Sequence, residues 1–192
     1  MDLEDIKAAI RTVPDFPKKG VMFRDITTLV KDHDVFEYTI ERLAEIFRDE
    51  KIDVVVGIES RGFIIGAPLA LKLGVGFVPV RKPGKLPFES IRSEYDTEYS
   101  TDAVEMHIDA VRPGQRVLMV DDLIATGGTM RASIELVEKL GGKVVGVAFV
   151  VDLPDLHGKE KLQDYNVVTL VEFEGESQEE AKLVEPIRFK RL

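Results

Sequence analysis

Residues 117–129 carry the clearest chemical signal in the sequence. An apolar run is followed by two aspartates, and then by a loop of small and hydroxyl residues that leads into a helical pattern. A helix start beside the end of a parallel strand offers unpaired N–H groups and the positive end of a dipole, which suits a phosphate group. The pattern therefore predicts a phosphate-binding loop formed by Ala125, Thr126, Gly127, Gly128 and Thr129.

The residue types in this predicted loop limit its ligand. The two glycines allow a close backbone approach, and Thr126 and Thr129 add hydroxyl donors. The G-x-x-x-x-G-K-[ST] motif of loops that bind nucleoside triphosphates does not occur in the sequence. We therefore expect a simpler phosphate monoester.

Asp121 and Asp122 come directly after the apolar run, and we expect them to end the strand. Their carboxylates could accept hydrogen bonds from the hydroxyls of a sugar whose 5′-phosphate lies in the loop. Ribose 5-phosphate is the natural ligand of this kind. The alternative is that the acidic pair only caps a strand.

Short apolar runs rich in β-branched residues predict strands buried in a parallel sheet. These runs are residues 54–58, 77–80, 117–120, 144–151 and 167–171. Helical spacing of apolar residues predicts helices at residues 35–50, 62–73 and 129–140, and a first helix that includes Val13 and stops at Pro14. This alternation indicates an α/β fold with a mainly parallel sheet flanked by helices.

We expect residues 1–192 to form a single domain. Three segments of it depart from the alternation of strands and helices. Residues 14–28 mix prolines, a glycine and two Phe, and are expected to form an ordered loop. Residues 82–102 are polar and little periodic, and are expected to form a long flexible loop, which in a compact domain is usually functional. Residues 172–192 form an acidic C-terminal extension whose role the composition does not give.

The composition excludes several classes of protein. The 192 residues include 44% hydrophobic and 32% charged residues, which suits a globular domain rather than a disordered chain. The net charge of −9 opposes general binding to nucleic acid or to an anionic membrane surface. There is no cysteine and no apolar run of about 18 residues, so neither disulfides nor transmembrane helices are expected. The acidic N-terminus is unlike a secretory signal and favours a cytoplasmic location.

Residues 117–129 resemble the phosphoribosyl pyrophosphate (PRPP) fingerprint of the type I phosphoribosyltransferases. Further blocks at residues 14–28, 57–63, 81–87 and 95–99 resemble the adenine phosphoribosyltransferases, and the resemblance covers most of residues 14–151. It implies synthesis of AMP and pyrophosphate from adenine and PRPP in purine salvage. It also implies Mg²⁺ held mainly by substrate oxygens, and a homodimer in which some basic residues reach the neighbouring subunit's site.

The resemblance assigns roles on the diphosphate side. Ser60 and Arg61 follow a predicted strand, where a guanidinium can bind two oxygens of the leaving pyrophosphate. Arg81, Lys82 and Lys85 would neutralise the same group. The peptide bond between Glu59 and Ser60 would be cis.

The resemblance also assigns roles on the base side. Residues 1–34 would form an N-terminal hood in which Met22, Phe23 and Arg24 contact adenine, together with Tyr99 from the flexible loop. Glu98, in the same loop, would act as an acid/base while N9 of adenine attacks the anomeric carbon. Closure of the loop would exclude water from the reacting centre.

Several alternatives stay open at this point. The chain could act on another purine, such as hypoxanthine, guanine or xanthine, or it could sense PRPP without turnover. The basic residues could be a solvated charge run, Phe23 a core residue and Glu98 an ordinary loop carboxylate. Ser60 approaches the G-x-S-x-G motif of serine hydrolases, but Ile58 stands where the first glycine belongs. His33, His107 and His157 lack metal-ligand spacing.

Overall fold

The computed structural model describes residues 1–96 and 101–175. The strands are β1 (Arg11–Pro14), β2 (Met22–Asp25), β3 (Val54–Ile58), β4 (Gly76–Val80), β5 (Ser90–Asp96), β6 (Thr101–His107), β7 (Arg116–Ile124), β8 (Lys143–Asp152) and β9 (Val167–Glu172). The helices are α1 (Leu3–Ala9), α2 (Thr27–Lys31), α3 (His33–Ile46), α4 (Arg61–Leu73) and α5 (Gly128–Lys139), with short 3-10 helices at Pro154–Leu156 and Gly158–Leu162.

A five-stranded parallel sheet organises the fold, with the strand order β4-β3-β7-β8-β9. Its strands match the five apolar runs of the sequence, so the prediction of an α/β fold with a mainly parallel sheet is confirmed. Because the strands are parallel, their carboxyl ends share one edge of the sheet. The segments that follow β3, β4 and β7 therefore meet at that edge.

Both faces of the sheet are buried, and alternation along β7 divides the core in two. Leu118 and Val120 pack on one side, in a cluster that includes Leu69 of α4 and residues of α3. Val117 and Met119 pack on the other side, in a cluster that includes residues of α5 and β6. The continuous apolar composition of the central strands follows from this double burial.

The N-terminal segment differs from the expected helix and loop. Helix α1 is capped by the side chain of Asp2 and ends at Ala9, because Ile10 adopts an extended conformation. Val13 lies in β1 opposite Phe23 of β2, so the end of the expected helix and part of the expected loop form an antiparallel hairpin. The prediction of a helix that includes Val13 is wrong, because the cross-strand pairing overrides the helical spacing of the apolar residues.

Two further boundaries differ from the predicted ones. Helix α3 begins at His33, where the side chain of Asp32 accepts the backbone N–H groups of Asp34 and Val35, and it ends at Ile46. Strand β7 continues past the acidic pair to Ile124, which pairs with Asp152 of β8. The expectation that Asp121 and Asp122 end the strand is therefore wrong: both lie within it.

Residues 82–102, expected to be one long loop, contain most of an antiparallel hairpin. Strand β5 pairs with β6, and Ile91 and Tyr95 pack against the α5 side of the core, where Ser93 donates to Glu135 of α5 at 2.9 Å. Alternate residues of β5 thus face α5, which is a strand pattern rather than a loop pattern. Residues 97–100, between the two strands, lie outside the described part of the chain.

The C-terminal extension is described only in part. Glu172 ends β9, the chain is described as far as Gly175, and the remainder of the extension lies outside the described residues. Within residues 1–96 and 101–175, no helix is both long and apolar enough to cross a membrane.

Candidate active site

The acidic pair of β7 lies beside the start of α4. Asp122 is 2% exposed, and its Oδ2 lies 2.8 Å from Arg61 Nε. The geometry of this ion pair does not make a hydrogen bond, so Oδ2 is a buried acceptor without a hydrogen-bond donor in the described chain. Buried carboxylate oxygens normally have donors, so this atom is suited to a donor supplied by a ligand.

Asp121 is held against the same turn. Its Oδ1 accepts the backbone N–H of Asp122 at 2.9 Å, and a Cβ atom on Gly62 would lie 2.8 Å from it, so only glycine fits there without movement. Burial, followed by the negative charge of Asp122, raises the pKa of Asp121 well above its usual value. A hydroxyl donor or a cation bound at this pair would favour the ionised form and lower that pKa.

The loop after β7 forms a tight turn into α5, and we call residues 125–129 the cradle. Gly127 has φ +74° and precedes the first residue of α5, which favours glycine and leaves the N–H groups of the first turn unpaired by the helix. The cradle is supported from behind by Gly158. A Cβ atom on Gly158 would lie 2.2 Å from the carbonyl oxygen of Ala125, and one on Gly127 would lie 2.5 Å from that of Gly158.

Two of the three basic residues after β4 are paired with carboxylates. Arg81 Nε lies 3.1 Å from Glu59 Oε2, which also accepts the backbone N–H of Lys82 at 2.9 Å. Burial opposes ionisation of Glu59, but these bonds and the charge of Arg81 outweigh it and hold the pKa of Glu59 below its usual value. Lys82 pairs with Asp102 of β6, while Lys85 is exposed. The Glu59–Ser60 peptide bond, in the turn between β3 and α4, is cis, as the resemblance implies.

The hood meets the acidic pair through Arg61. The guanidinium carbon of Arg61 lies 5.3 Å from the centre of the Phe23 ring, and Phe16 packs edge-on against the same ring at 5.2 Å. Phe23 and Asp122 therefore contact one side chain, which brings the predicted base and ribose residues together. Met22 is half-buried next to Phe23 and pairs with Pro14 in the hairpin.

Arg24 lies on the other face of the hood hairpin. Its side chain donates to Thr12 Oγ1 at 2.5 Å and stacks on Phe173 at 4.4 Å, next to a cavity of about 690 Å³ lined by residues of α1 and β9. The alternation of side chains along β2 separates it from Phe23. Its role as an adenine contact stays a prediction.

Two residues that contact the cradle, Tyr95 and Gly158, are not among the predicted site residues. Tyr95 contacts Gly128 and Thr129, and its pairing with Asp102 across the hairpin brings Lys82 to the same place. The alternation of Ile91, Ser93 and Tyr95 could have revealed a strand, but not its partner. Nothing in the local sequence marks Gly158 as the support of a loop more than 30 residues earlier.

Some predicted groups lie elsewhere or outside the described chain. Glu98 and Tyr99 fall in residues 97–100, so the structure does not place them. His33 and His157 are exposed and face Glu37 and Glu160. In the described ranges, no group of three or more His, Asp and Glu side chains is arranged to hold a metal ion.

Comparison with known proteins agrees with the geometry of this site. A family model described as a phosphoribosyl transferase domain matches residues 27–185. The adenine phosphoribosyltransferase of Desulfosudis oleivorans is 60% identical over 172 residues, which cover 90% of this chain and 99% of that relative. The chain belongs to the adenine phosphoribosyltransferase family.

Solved structures of the family share the fold. The adenine phosphoribosyltransferase of Thermoanaerobacter pseudethanolicus superposes with a TM-score of 0.87 at 55% identity, covering 89% of this chain and 99% of that one. The Saccharomyces cerevisiae enzyme, solved with an imino-altritol bisphosphate and adenine, has a TM-score of 0.83 at 43% identity, with 88% of this chain and 98% of that one covered. The parallel sheet flanked by helices is therefore that of a phosphoribosyltransferase.

Proposed function

We propose that this chain transfers the 5-phosphoribosyl group of PRPP to N9 of adenine, which gives AMP and pyrophosphate. The observation that carries the proposal is the buried carboxylate of Asp122, which lies three residues before the cradle and whose Oδ2 is ion-paired with Arg61 but accepts from no hydrogen-bond donor in the described chain. A ribose whose phosphate occupies the cradle supplies that donor. Membership of the adenine phosphoribosyltransferase family supports the choice of base.

Each part of the site has a separate task in this reaction. The N–H groups of the cradle bind the 5′-phosphate, and Asp121 and Asp122 accept the ribose hydroxyls. Ser60 and Arg61, with Arg81, Lys82 and Lys85, face the diphosphate. N9 forms a bond to the anomeric carbon as the bond from that carbon to the diphosphate oxygen breaks, so that pyrophosphate leaves, and the N–H proton of adenine passes to the Glu98 carboxylate. Positioning and electrostatic stabilisation supply the acceleration, and Glu98 is the proposed acid/base.

Magnesium is part of the proposal. Mg²⁺ uses one or two carboxylates together with substrate oxygens and water, and Asp121 and Asp122 provide carboxylates beside the ribose. The ion would be held mainly by substrate oxygens, and when bound it would neutralise charge on the diphosphate. The residues of this chain orient that diphosphate through Arg61 and the basic residues after β4.

Replacing Phe23 by Leu should raise the KM for adenine about tenfold, because a branched aliphatic side chain cannot stack on a purine. The KM for PRPP should stay within about twofold, since Phe23 lies on the base side of Arg61. Steady-state kinetics with each substrate varied in turn measure both values. Phe88→Leu is the matched control, because Phe88 is exposed and contacts His107 instead. Equal KM values for adenine in wild type and Phe23→Leu would remove Phe23 from the base site.

Product analysis tests the proposed function as a whole. The chain is incubated with PRPP and Mg²⁺ and with adenine, hypoxanthine, guanine, xanthine or orotate in parallel, and the nucleotides are separated by HPLC. AMP alone is the expected product. A different nucleotide would keep the phosphate site and overturn the base assignment. No product from any base would favour a protein that senses PRPP, which a gel-shift assay with DNA would then examine.

We also propose a homodimer in the cytoplasm. Leu71 and Ile64 of α4 are 81% and 40% exposed, which gives one helix an apolar surface suited to a second copy of the chain. Sedimentation equilibrium should give twice the mass of one chain. A monomer at the concentrations at which AMP forms would contradict the dimer.

A further inference from the structure

Tyr95 connects the β5–β6 hairpin to the cradle through its hydroxyl group. Thr129 Oγ1 lies 3.0 Å from this oxygen, and Asp102 Oδ2 lies 3.0 Å from it on the neighbouring strand. Lys82 Nζ lies 3.3 Å away and also pairs with Asp102. The Tyr95 ring packs on Gly128, where a Cβ atom would lie 3.3 Å from Cδ2. The side chain of Tyr95 thus contacts the cradle, Asp102 on the other strand of the hairpin, and Lys82, which is predicted to bind the diphosphate.

The pKa shifts in this network all favour the same protonation states, with Asp102 ionised and Lys82 and Tyr95 protonated. Burial raises the pKa of Asp102, but hydrogen bonds from Lys82 and from the N–H of Ala103 outweigh it and hold that pKa below its usual value. Burial raises the pKa of Tyr95, so the phenol keeps its proton near neutral pH. Asp102 is consequently an acceptor only, Lys82 a donor only, and Tyr95 has one proton to give.

Tyr95 and a bound phosphate compete for the single hydroxyl proton of Thr129. The phenol donates its single proton to Asp102 and accepts from Lys82 and Thr129, which fills its capacity. The hydroxyl of Thr129 also has one proton, and it is directed at Tyr95. A phosphate is only an acceptor, so a phosphate that bonds to the Thr129 hydroxyl takes that proton. Tyr95 then loses the donation from Thr129, or it turns towards Thr129 and Asp102 loses its donor.

We propose that Tyr95 is a positioning residue that couples phosphate occupancy of the cradle to the β5–β6 hairpin through the single hydroxyl proton of Thr129. Without phosphate, the Thr129–Tyr95 bond holds the hairpin against α5. With phosphate bound, Tyr95 loses the donation from Thr129 or gives up its own bond to Asp102, and in either case the network that joins the hairpin and Lys82 to the cradle has one hydrogen bond fewer. The inference rests on the proposed function, because it takes residues 125–129 as a phosphate site.

The coupling predicts that removal of the Tyr95 hydroxyl strengthens phosphate binding. Tyr95→Phe keeps the ring on Gly128 but removes the competing acceptor, so phosphate no longer displaces a hydrogen bond. The dissociation constant of ribose 5-phosphate should therefore fall about fivefold, the size expected of one neutral hydrogen bond. A residue with a purely structural role would weaken binding or leave it unchanged when replaced. Tyr165→Phe is the matched control, because the Tyr165 hydroxyl contacts Arg131 and Glu138 rather than Thr129.

A double-mutant cycle with Thr129→Val completes the test, with ribose 5-phosphate affinities from calorimetry. In the Thr129→Val background, Tyr95→Phe should not change the affinity for ribose 5-phosphate, since valine has no hydroxyl proton for which Tyr95 and the phosphate could compete. An equal effect of Tyr95→Phe in both backgrounds, or weaker binding by the Tyr95→Phe single variant, would overturn the inference.

Product formation separates this inference from the proposed function. AMP synthesis by the wild type without tighter binding by Tyr95→Phe would leave the function standing and overturn the coupling. The expected cycle in a chain that makes no AMP would support the coupling and contradict the function. Failure of the wild type to bind ribose 5-phosphate would overturn both the cradle assignment and the coupling.

Discussion

Replacing Asp121 and Asp122 together by Asn is expected to lower kcat/KM for PRPP about 1,000-fold. Each carboxylate accepts a ribose hydroxyl in the proposed complex, and a hydrogen bond to a charged group contributes about 1.5–3 kcal/mol, so the loss of two such bonds predicts an effect of this order. The buried position of Asp122 prevents water from replacing the lost acceptor. Initial rates of AMP formation at varied PRPP concentration measure the effect.

The stability of the variants separates lost binding from lost folding. The pKa of Asp121 is higher in the folded than in the unfolded chain, so its stabilising contribution is complete below the unfolded pKa and is lost as the pH rises through the folded pKa. Above the unfolded pKa, folding must either bury the charge of Asp121 or keep its carboxyl group protonated, and both oppose folding. Asp121→Asn should therefore have a free energy of unfolding at pH 8 equal to or above that of the wild type, measured by urea denaturation.

A matched substitution is offered by Asp53, which precedes β3 and contacts the other end of β7. Asp53 Oδ2 accepts the backbone N–H of Arg116 at 2.7 Å, at the amino end of β7 and away from the cradle. Asp53→Asn should leave kcat/KM within about twofold of wild type, because this carboxylate meets no substrate in the proposed complex. The ribose assignment is wrong if the Asp121→Asn, Asp122→Asn double variant retains kcat/KM within about threefold of wild type.

The basic residues show how an acidic chain can bind an anionic substrate. Arg61 pairs with Asp122, Arg81 with Glu59 and Lys82 with Asp102. These pairs hold the cations at the carboxyl edge of the sheet and neutralise their charge. In the proposed complex, diphosphate would therefore replace the carboxylates as the anionic partner of these cations. The exchange favours a ligand with several charges, because a single phosphate offers little advantage over the carboxylate that it replaces.

The sequence predicted what depends on local pattern. Continuous apolar runs located the strands of the parallel sheet, because strands buried on both faces need no alternation. Small residues after β7 located the turn into α5. The position of Asp121 and Asp122 within β7 could not be read in this way, since the strand continues only because Leu123 and Ile124 find partners on β8.

Features that depend on distant partners could not be predicted. The hood hairpin arises from pairing of Val13 with Phe23, and the β5–β6 hairpin places Tyr95 opposite Asp102. In both segments, charged and turn-forming residues obscure the alternation that marks a strand. The contact of Gly158 with the cradle has no local signal at all, because it joins two loops that follow neighbouring strands.

We expect a large effect on PRPP binding from the contact between Gly158 and the cradle. Gly158→Ala should raise the KM for PRPP about 100-fold, because a shift of about 1 Å in a positioning group can cost this much. The added Cβ atom would lie 2.2 Å from the carbonyl oxygen of Ala125 and 2.8 Å from Ile124 Cγ1. Neither contact can be relieved by a flexible side-chain end, so the cradle or the 3-10 helix that begins at Gly158 must move.

The matched control for this substitution is Gly76→Ala, at the start of β4. A Cβ atom there meets nothing within 4 Å, and both glycines have backbone conformations that alanine adopts. Kinetics of both variants, with thermal unfolding followed by circular dichroism, separate displacement of the cradle from general destabilisation. Overpacking should cost Gly158→Ala about 1–3 kcal/mol of stability and leave it folded at 25 °C. A folded Gly158→Ala variant with the PRPP KM of Gly76→Ala would show that the cradle does not depend on its support, and that the 5′-phosphate is held elsewhere.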